Sequence, residues 1–164
     1  MTSEARERAE EELKKHIRRV SGLLGMFAGE LAVRSLEHDR SKKQDPEKEP
    51  FLETTANLSE LTYGTPEYME QLKRVDLKAA LEHHYANNRH HPEHFDSGVE
   101  GMTLIDLLEM TVDWRASSER HKDGDIWESI RKNTDRFNLS PQLAQILRNT
   151  VEMMKCLEEG REFP

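Results

Sequence analysis

The stretch "MTLIDLLEMTVDWRASSERH", residues 102–121, decides the fold. Leu104, Ile105, Leu107, Leu108, Met110, Val112 and Trp114 cover most of a helical circumference. Only Asp106, Glu109 and Asp113 interrupt it, at spacings of three and four, which draws one narrow polar stripe along a mostly buried helix. A strand would instead show alternation with a period of two, and no segment of the chain does.

The flanking sequence reads the same way. Upstream, Thr65-Pro66-Glu67 starts a helix with proline at its first position, and the pattern continues through "LKAALEHHYANN" until Pro92 stops it. Residues 51–62 suggest a short irregular helix, and "DRSKKQDPEKEP", residues 39–50, reads as a polar connection. Leu13, Ile17, Val20 and Leu24 predict a helix over 3–21, followed by a second over about 25–38. Downstream lie "DIWESIRKNTDRF" (125–137) and "SPQLAQILRNTVEMMKCLEE" (140–159), the latter opened by a serine cap and a proline. The expectation is one all-α domain over residues 1–164, a bundle of six or seven helices.

Charged residues make up 34% of the chain, against about 25% in an average protein, so one modest core sits under a heavily solvated surface. The net charge of −8 disfavours binding to long nucleic acid. No run of 18 apolar residues is present to span a membrane. The amino-terminal "MTSEARERAEEELKKH" lacks the apolar stretch of a secretory signal. A single cysteine, Cys156, excludes an internal disulfide, fits a reducing compartment and, beside Met153, Met154 and Leu157, reads as a helix packing residue. A cytoplasmic location is expected.

The chemistry concentrates in "EHHYANNRHHPEHF", residues 82–95, which holds five of the eight histidines. Two histidines there would suit a solvated helix end, whereas five argue for a metal, since each imidazole supplies one bond. On an unbroken helix His84, Asn87 and His91 share a line about 10 Å long, too long for both histidines to hold one ion. A break at Asn87-Asn88 would solve this, with His84 in or beside the metal shell, His90 or His91 turned back, and His94 on the loop near substrate or solvent. His16 borders the apolar stripe of its helix and, taken alone, reads as a packed histidine. His38 ends the second helix on the face of Leu31, and Asp39 follows it. A carboxylate of the 102–121 stripe is a natural counter-ligand.

The order His16, then His38-Asp39, then the histidine cluster, then Asp113 resembles the HD superfamily, an all-α fold that holds divalent metal with H…HD…D. "HDRSK" is similar to the HDxGK of the HD-GYP branch, where the lysine, here Lys42, contacts phosphate. The GYP residues are absent and Asp96-Ser97-Gly98 stands where Asp-Gly would be expected, so cyclic-dinucleotide specificity is not implied. Nearly the whole chain resembles a small uncharacterised HD-like family of phages and bacteria, with HDxSK, "YGTPEY", "HHYANNRHHPE", an EMxxDW helix and "SIRKNTDRFNLSPQLAQILRNT". A phage-encoded member would act in the host cytoplasm.

That resemblance implies a metal-dependent phosphohydrolase acting on a nucleotide or another small phosphate ester. Its metal ligands would be His16, His38, Asp39 and Asp113, with His84, His90 and His91 serving a second ion or the leaving group. The cofactor would be one or two divalent ions of Mn, Mg, Fe, Co, Ni or Zn. Asp39 and Lys42 would carry the catalysis, and Lys42, Asn87, His94, Arg115, Arg120 and Arg136 would face the substrate. Two other readings stay open, a di-iron oxygenase of HD type and a non-catalytic binding protein stabilised by metal. A homodimer also stays open.

Overall fold

The computed structural model describes residues 2–59, 66–71, 75–120 and 124–163, and excludes the side chains of residues 58, 59, 68, 69, 71 and 75. Residues 63–65 of the expected "YGTPEY" segment therefore lie outside the described residues. The described chain is all-α, with seven α-helices and three short 3₁₀ turns. It divides into two compact units, Met1–His38 and Asp39–Pro164.

The first unit is one helix, α1 (Ser3–Glu37), capped by the Thr2 hydroxyl, which accepts from the amide of Ala5. Two helices were expected here, divided near residues 22–25. The chain instead stays helical through Gly22 and Gly25, because the apolar rhythm of Val20, Leu24 and Phe27 crosses the junction unbroken and no proline interrupts it. None of its described side chains is buried.

In the second unit, Asp39 opens a 3₁₀ turn over Arg40–Lys43. Then come α2 (Lys48–Ser59), α3 (Pro66–Gln71) and α4 (Val75–Asn87). The expected polar connection over 39–50 thus folds into a turn and the start of a helix, and it buries Glu47 completely. The helix expected to run to Pro92 ends at Asn87 instead. The side-chain amides of Asn87 and Asn88 donate to the carbonyls of His83 and His84, both at 2.8 Å. They thereby satisfy groups that a helix end leaves open, which places the break where the asparagines foreshadowed it.

Two 3₁₀ turns, Pro92–His94 and Gly98–Gly101, lead into α5 (Leu104–Glu119). Their close packing requires glycine at 101, where a Cβ would meet the Phe95 Cβ at 2.8 Å. A capping box starts α5: Asp106 N–H donates to the Thr103 hydroxyl, and Thr103 N–H donates back to the Asp106 carboxylate at 2.8 Å.

α6 (Ile126–Phe137) and α7 (Pro141–Glu158) complete the unit, begun by the caps Asp125 and Ser140. The core lies among α5, α6 and α7, where Met110, Leu139 and Leu147 form one cluster and Ile126, Ile130 and Val151 another. Trp114 packs against both and stacks on Phe137. Cys156 is buried on α7, as its apolar neighbours predict. α5 is less covered than its composition predicts, since Leu104 and Val112 are exposed. No described helix is long and apolar enough to cross a membrane.

Candidate metal centre

Four donors of the second unit converge: Asp39, His84, His90 and His91 each offer one atom within 4.8 Å of the others. Three segments bring them together. Asp39 sits at the start of the first 3₁₀ turn, His84 on the last full turn of α4, and His90 and His91 on the loop that the asparagine break turns back. Asp39 has a φ of 55°, a left-handed conformation that costs little for aspartate and aims its carboxylate away from the path of a regular helix.

The geometry is specific. The Nε2 atoms of His84 and His90 lie 3.3 and 3.4 Å from the same oxygen, Asp39 Oδ1. His84 Nε2 is also 2.9 Å from His91 Nε2. Ligands at about 2.0–2.1 Å from a tetrahedral ion lie ~3.3 Å from each other, so these edges match those of a small coordination polyhedron. Three imidazoles and a carboxylate are donors that suit a first-row divalent ion.

Both buried histidines are oriented from behind by a carboxylate. His84 Nδ1 is 2.8 Å from Glu47 Oε2, and His90 Nδ1 is 3.2 Å from Glu109 Oε1. An ionised carboxylate can only accept, which places the imidazole proton on Nδ1 and leaves the Nε2 lone pair directed at Asp39. Glu47 also accepts from His83 Nδ1 at 2.7 Å and from the Ser41 hydroxyl at 2.9 Å. Asn88 is buried beside them and donates to Ser41 Oγ at 2.8 Å. Burial pushes the Glu47 carboxyl up, but the hydrogen bonds from His83, Ser41 and His84 outweigh it and hold the group below the usual carboxylate range.

Two of the imidazoles, His84 and His91, resist protonation. Burial lowers His84, reinforced by the Lys42 charge and opposed by Asp39 and Glu47. Burial also lowers His91, to about 3, with His90 and His84 adding to the shift and Asp113 and Asp39 opposing it. Neutral imidazole is the form that ligates metal. The sign of the pH dependence follows. Between the ordinary histidine value of 6.5 and about 3, unfolded His91 binds a proton that the folded state refuses. Stability therefore rises with pH in that window. Chelator-stripped protein should lose up to about 1.4 kcal/mol of unfolding free energy per pH unit through His91 as pH falls below 6.5. Urea unfolding at pH 7, 6 and 5 measures this, and a flat profile would remove His91 from the neutral set.

The remaining sequence candidates are placed as follows. His38 closes the first unit as the cap of α1, half-buried, its amide donating to the Arg34 carbonyl at 2.8 Å. His16 stands exposed on α1, beside Ile17, Val20 and Leu24. Asp113 is half-buried on α5, close enough to His91 to act on its charge. Lys42 Nζ lies 2.5 Å from Asp39 Oδ2 and over the Phe51 ring. Asn87 is exposed, and His94 Nδ1 donates to the Tyr85 carbonyl at 2.9 Å.

Of the three arginines, Arg115 pairs with Glu119 and Glu158, Arg136 pairs with Glu93 at 2.6 Å, and Arg120 caps α5 in the open. Asp106, the first carboxylate of the α5 stripe, is committed to structure, fully buried and gripped by both arms of Arg89 at 3.2 and 3.1 Å. Sequence reasoning missed Glu47 and Asn88, and did not assign Glu109 to His90.

Fold and site together define an all-α protein whose carboxylate-backed imidazoles are positioned so that they could hold a metal ion. Residues 5–153 match a family of unknown function, DUF5662, and the chain belongs to that family. No curated protein and no solved structure matches it.

Proposed function

We propose that this protein is a metal-dependent phosphohydrolase of HD type, acting on a nucleotide or another small phosphate ester. The observation that carries the reading is the convergence of His84 and His90 Nε2 on a single Asp39 oxygen, with His91 alongside. Asp39, His84, His90 and His91 would hold the ion. His38, one peptide bond before Asp39, joins them on chain adjacency, and Asp113 and His16 on the HD resemblance. A bound divalent ion supplies a water of near-neutral pKa and polarises a phosphoryl oxygen.

The chain's own residues do the rest. Glu47 and Glu109 hold the imidazoles in the ligating tautomer. Lys42 provides positive charge beside Asp39, where a compact ammonium can neutralise a phosphate oxygen. Of the three arginines, Arg120 is the one proposed to meet an anion, because carboxylates already engage Arg115 and Arg136.

Metal analysis of purified protein, joined to a phosphatase screen across nucleotides and simple phosphate esters, tests this reading. The expected result is about one or two first-row divalent ions per chain and release of inorganic phosphate that EDTA abolishes. Coloured, iron-loaded protein inert toward every phosphate would favour oxygen chemistry instead. Metal binding without any turnover would leave a binding protein.

A further inference from the structure

Asn88 joins the segments that carry the candidate donors. It is buried and directly follows α4, four residues after His84 and two before His90. Its side-chain Nδ2 donates to the His84 carbonyl and to the Ser41 hydroxyl, both at 2.8 Å. A carbonyl oxygen only accepts, so the amide must face it with its nitrogen, and the two bonds use both amide protons. Ser41 Oγ, having accepted from Asn88, gives its one proton to Glu47 Oε2 at 2.9 Å. His84 Nδ1 lies 3.0 Å from Asn88 Nδ2 but takes no proton from it, and gives its own to the same Glu47 oxygen at 2.8 Å. The backbone carbonyl of Asn88 accepts from the His91 amide at 3.3 Å. Ser41 in turn stands two residues after Asp39, on the turn closed by the Lys42 amide donating to the Asp39 carbonyl at 3.0 Å. All of these contacts lie within Asp39–Pro164.

We infer that Asn88, working with Ser41, is a positioning residue that fixes the spacing of Asp39, His84 and His91 and thereby sets the affinity for the ion. The inference rests on the metal reading of this pocket and extends it to two residues that offer the ion no donor. One amide clamps the end of α4 to the turn that carries Asp39, while its own carbonyl starts the loop that brings back His91. The position requires a neutral group with two protons to give. Aspartate has nearly the same shape but only accepts. It would set a negative oxygen against the His84 carbonyl and draw the Ser41 proton away from Glu47. Alanine at 41 would leave one Asn88 proton without its acceptor and remove one donor from Glu47. Either change slackens the edge between Asp39 Oδ1 and His84 Nε2, now 3.3 Å, before an ion arrives.

Calorimetric titration of zinc into the full chain, stripped of metal beforehand, tests this, beside urea unfolding of the same metal-free samples. Ser41→Ala should weaken binding about tenfold and Asn88→Asp about 100-fold, the two ends of the range for hydrogen-bond partners behind metal ligands. Ser41→Thr keeps the hydroxyl and should bind as wild type does. Ser41→Ala added to Asn88→Asp should cost little more than Asn88→Asp alone, because the aspartate has already diverted the serine proton. Independent roles would instead multiply the two losses. Residues that serve packing alone would lower the urea midpoint and leave the zinc affinity of the folded protein unchanged. That result, the full product of losses in the double variant, or a Ser41→Thr as weak as Ser41→Ala would overturn the inference while the metal reading stands. Wild type that takes up no zinc would overturn the metal reading and this inference together. If Asn88→Asp fails to fold, the two changes at half-buried Ser41 decide the matter.

Discussion

Asp39→Ala should purify with metal at background level and lose the proposed phosphatase activity by at least about a thousandfold, while its far-UV circular dichroism stays that of wild type. Asp39 is the donor on which the pocket converges, since His84 and His90 both direct Nε2 at its Oδ1. Removing it takes away the carboxylate oxygen on which the Nε2 atoms of His84 and His90 converge. The fold should survive, because Asp39 is half-buried at a turn and the core lies among α5, α6 and α7. Its left-handed φ is a small conformational cost that alanine would feel slightly more. Full metal occupancy in the variant would remove Asp39 from the ligand set.

Glu47→Leu should weaken metal binding by about 10- to 100-fold, the range found when a carboxylate behind a ligating histidine is lost. It should also destabilise the fold, by about 1–3 kcal/mol for each buried donor left without an acceptor. His83, His84 and Ser41 all donate to this carboxylate, but only His84 is buried, so the stability cost falls mainly there while exposed His83 can turn to water. Glu47→Gln keeps an acceptor of nearly the same shape and should fall between wild type and the leucine variant. Nitrogen chemical shifts of His84 in the metal-free protein give a separate readout, because they report which ring nitrogen carries the proton. Wild-type affinity together with an unchanged His84 tautomer would show that Glu47 serves packing alone.

Helix type and order were readable because the evidence for them is local and repeated. The apolar rhythm of 102–121 and the cap at Ser140 each involve residues a few positions apart. The division expected in the first helix failed for an instructive reason: glycine lowers helix propensity, but an apolar stripe that keeps its phase can carry the helix through. In the site, the histidine cluster and its break at Asn87-Asn88 were visible, since crowding of imidazole and a weak helix end are both local signals.

Glu47 was hidden. It sits in the most polar stretch of the chain, and only contacts with His83 and His84, 36 and 37 residues away, distinguish it from a solvated glutamate. Asp106 was read only as one member of the polar stripe, without a role of its own. The Thr103-x-x-Asp106 spacing was the available sign that this carboxylate would cap a helix.

The double attachment of the histidine loop to α5 has a kinetic consequence. Arg89 is held by Asp106 and the adjacent His90 by Glu109, two carboxylates one helical turn apart on a single rigid element. Neighbouring residues anchored in this way cannot drift separately, so the loop donors keep their spacing before any ion arrives. Little backbone entropy then remains to be lost on binding. The rate of metal capture would accordingly be governed by how fast an incoming ion sheds its water, which differs by orders of magnitude between magnesium and the later first-row ions, and not by the closing of the loop around it.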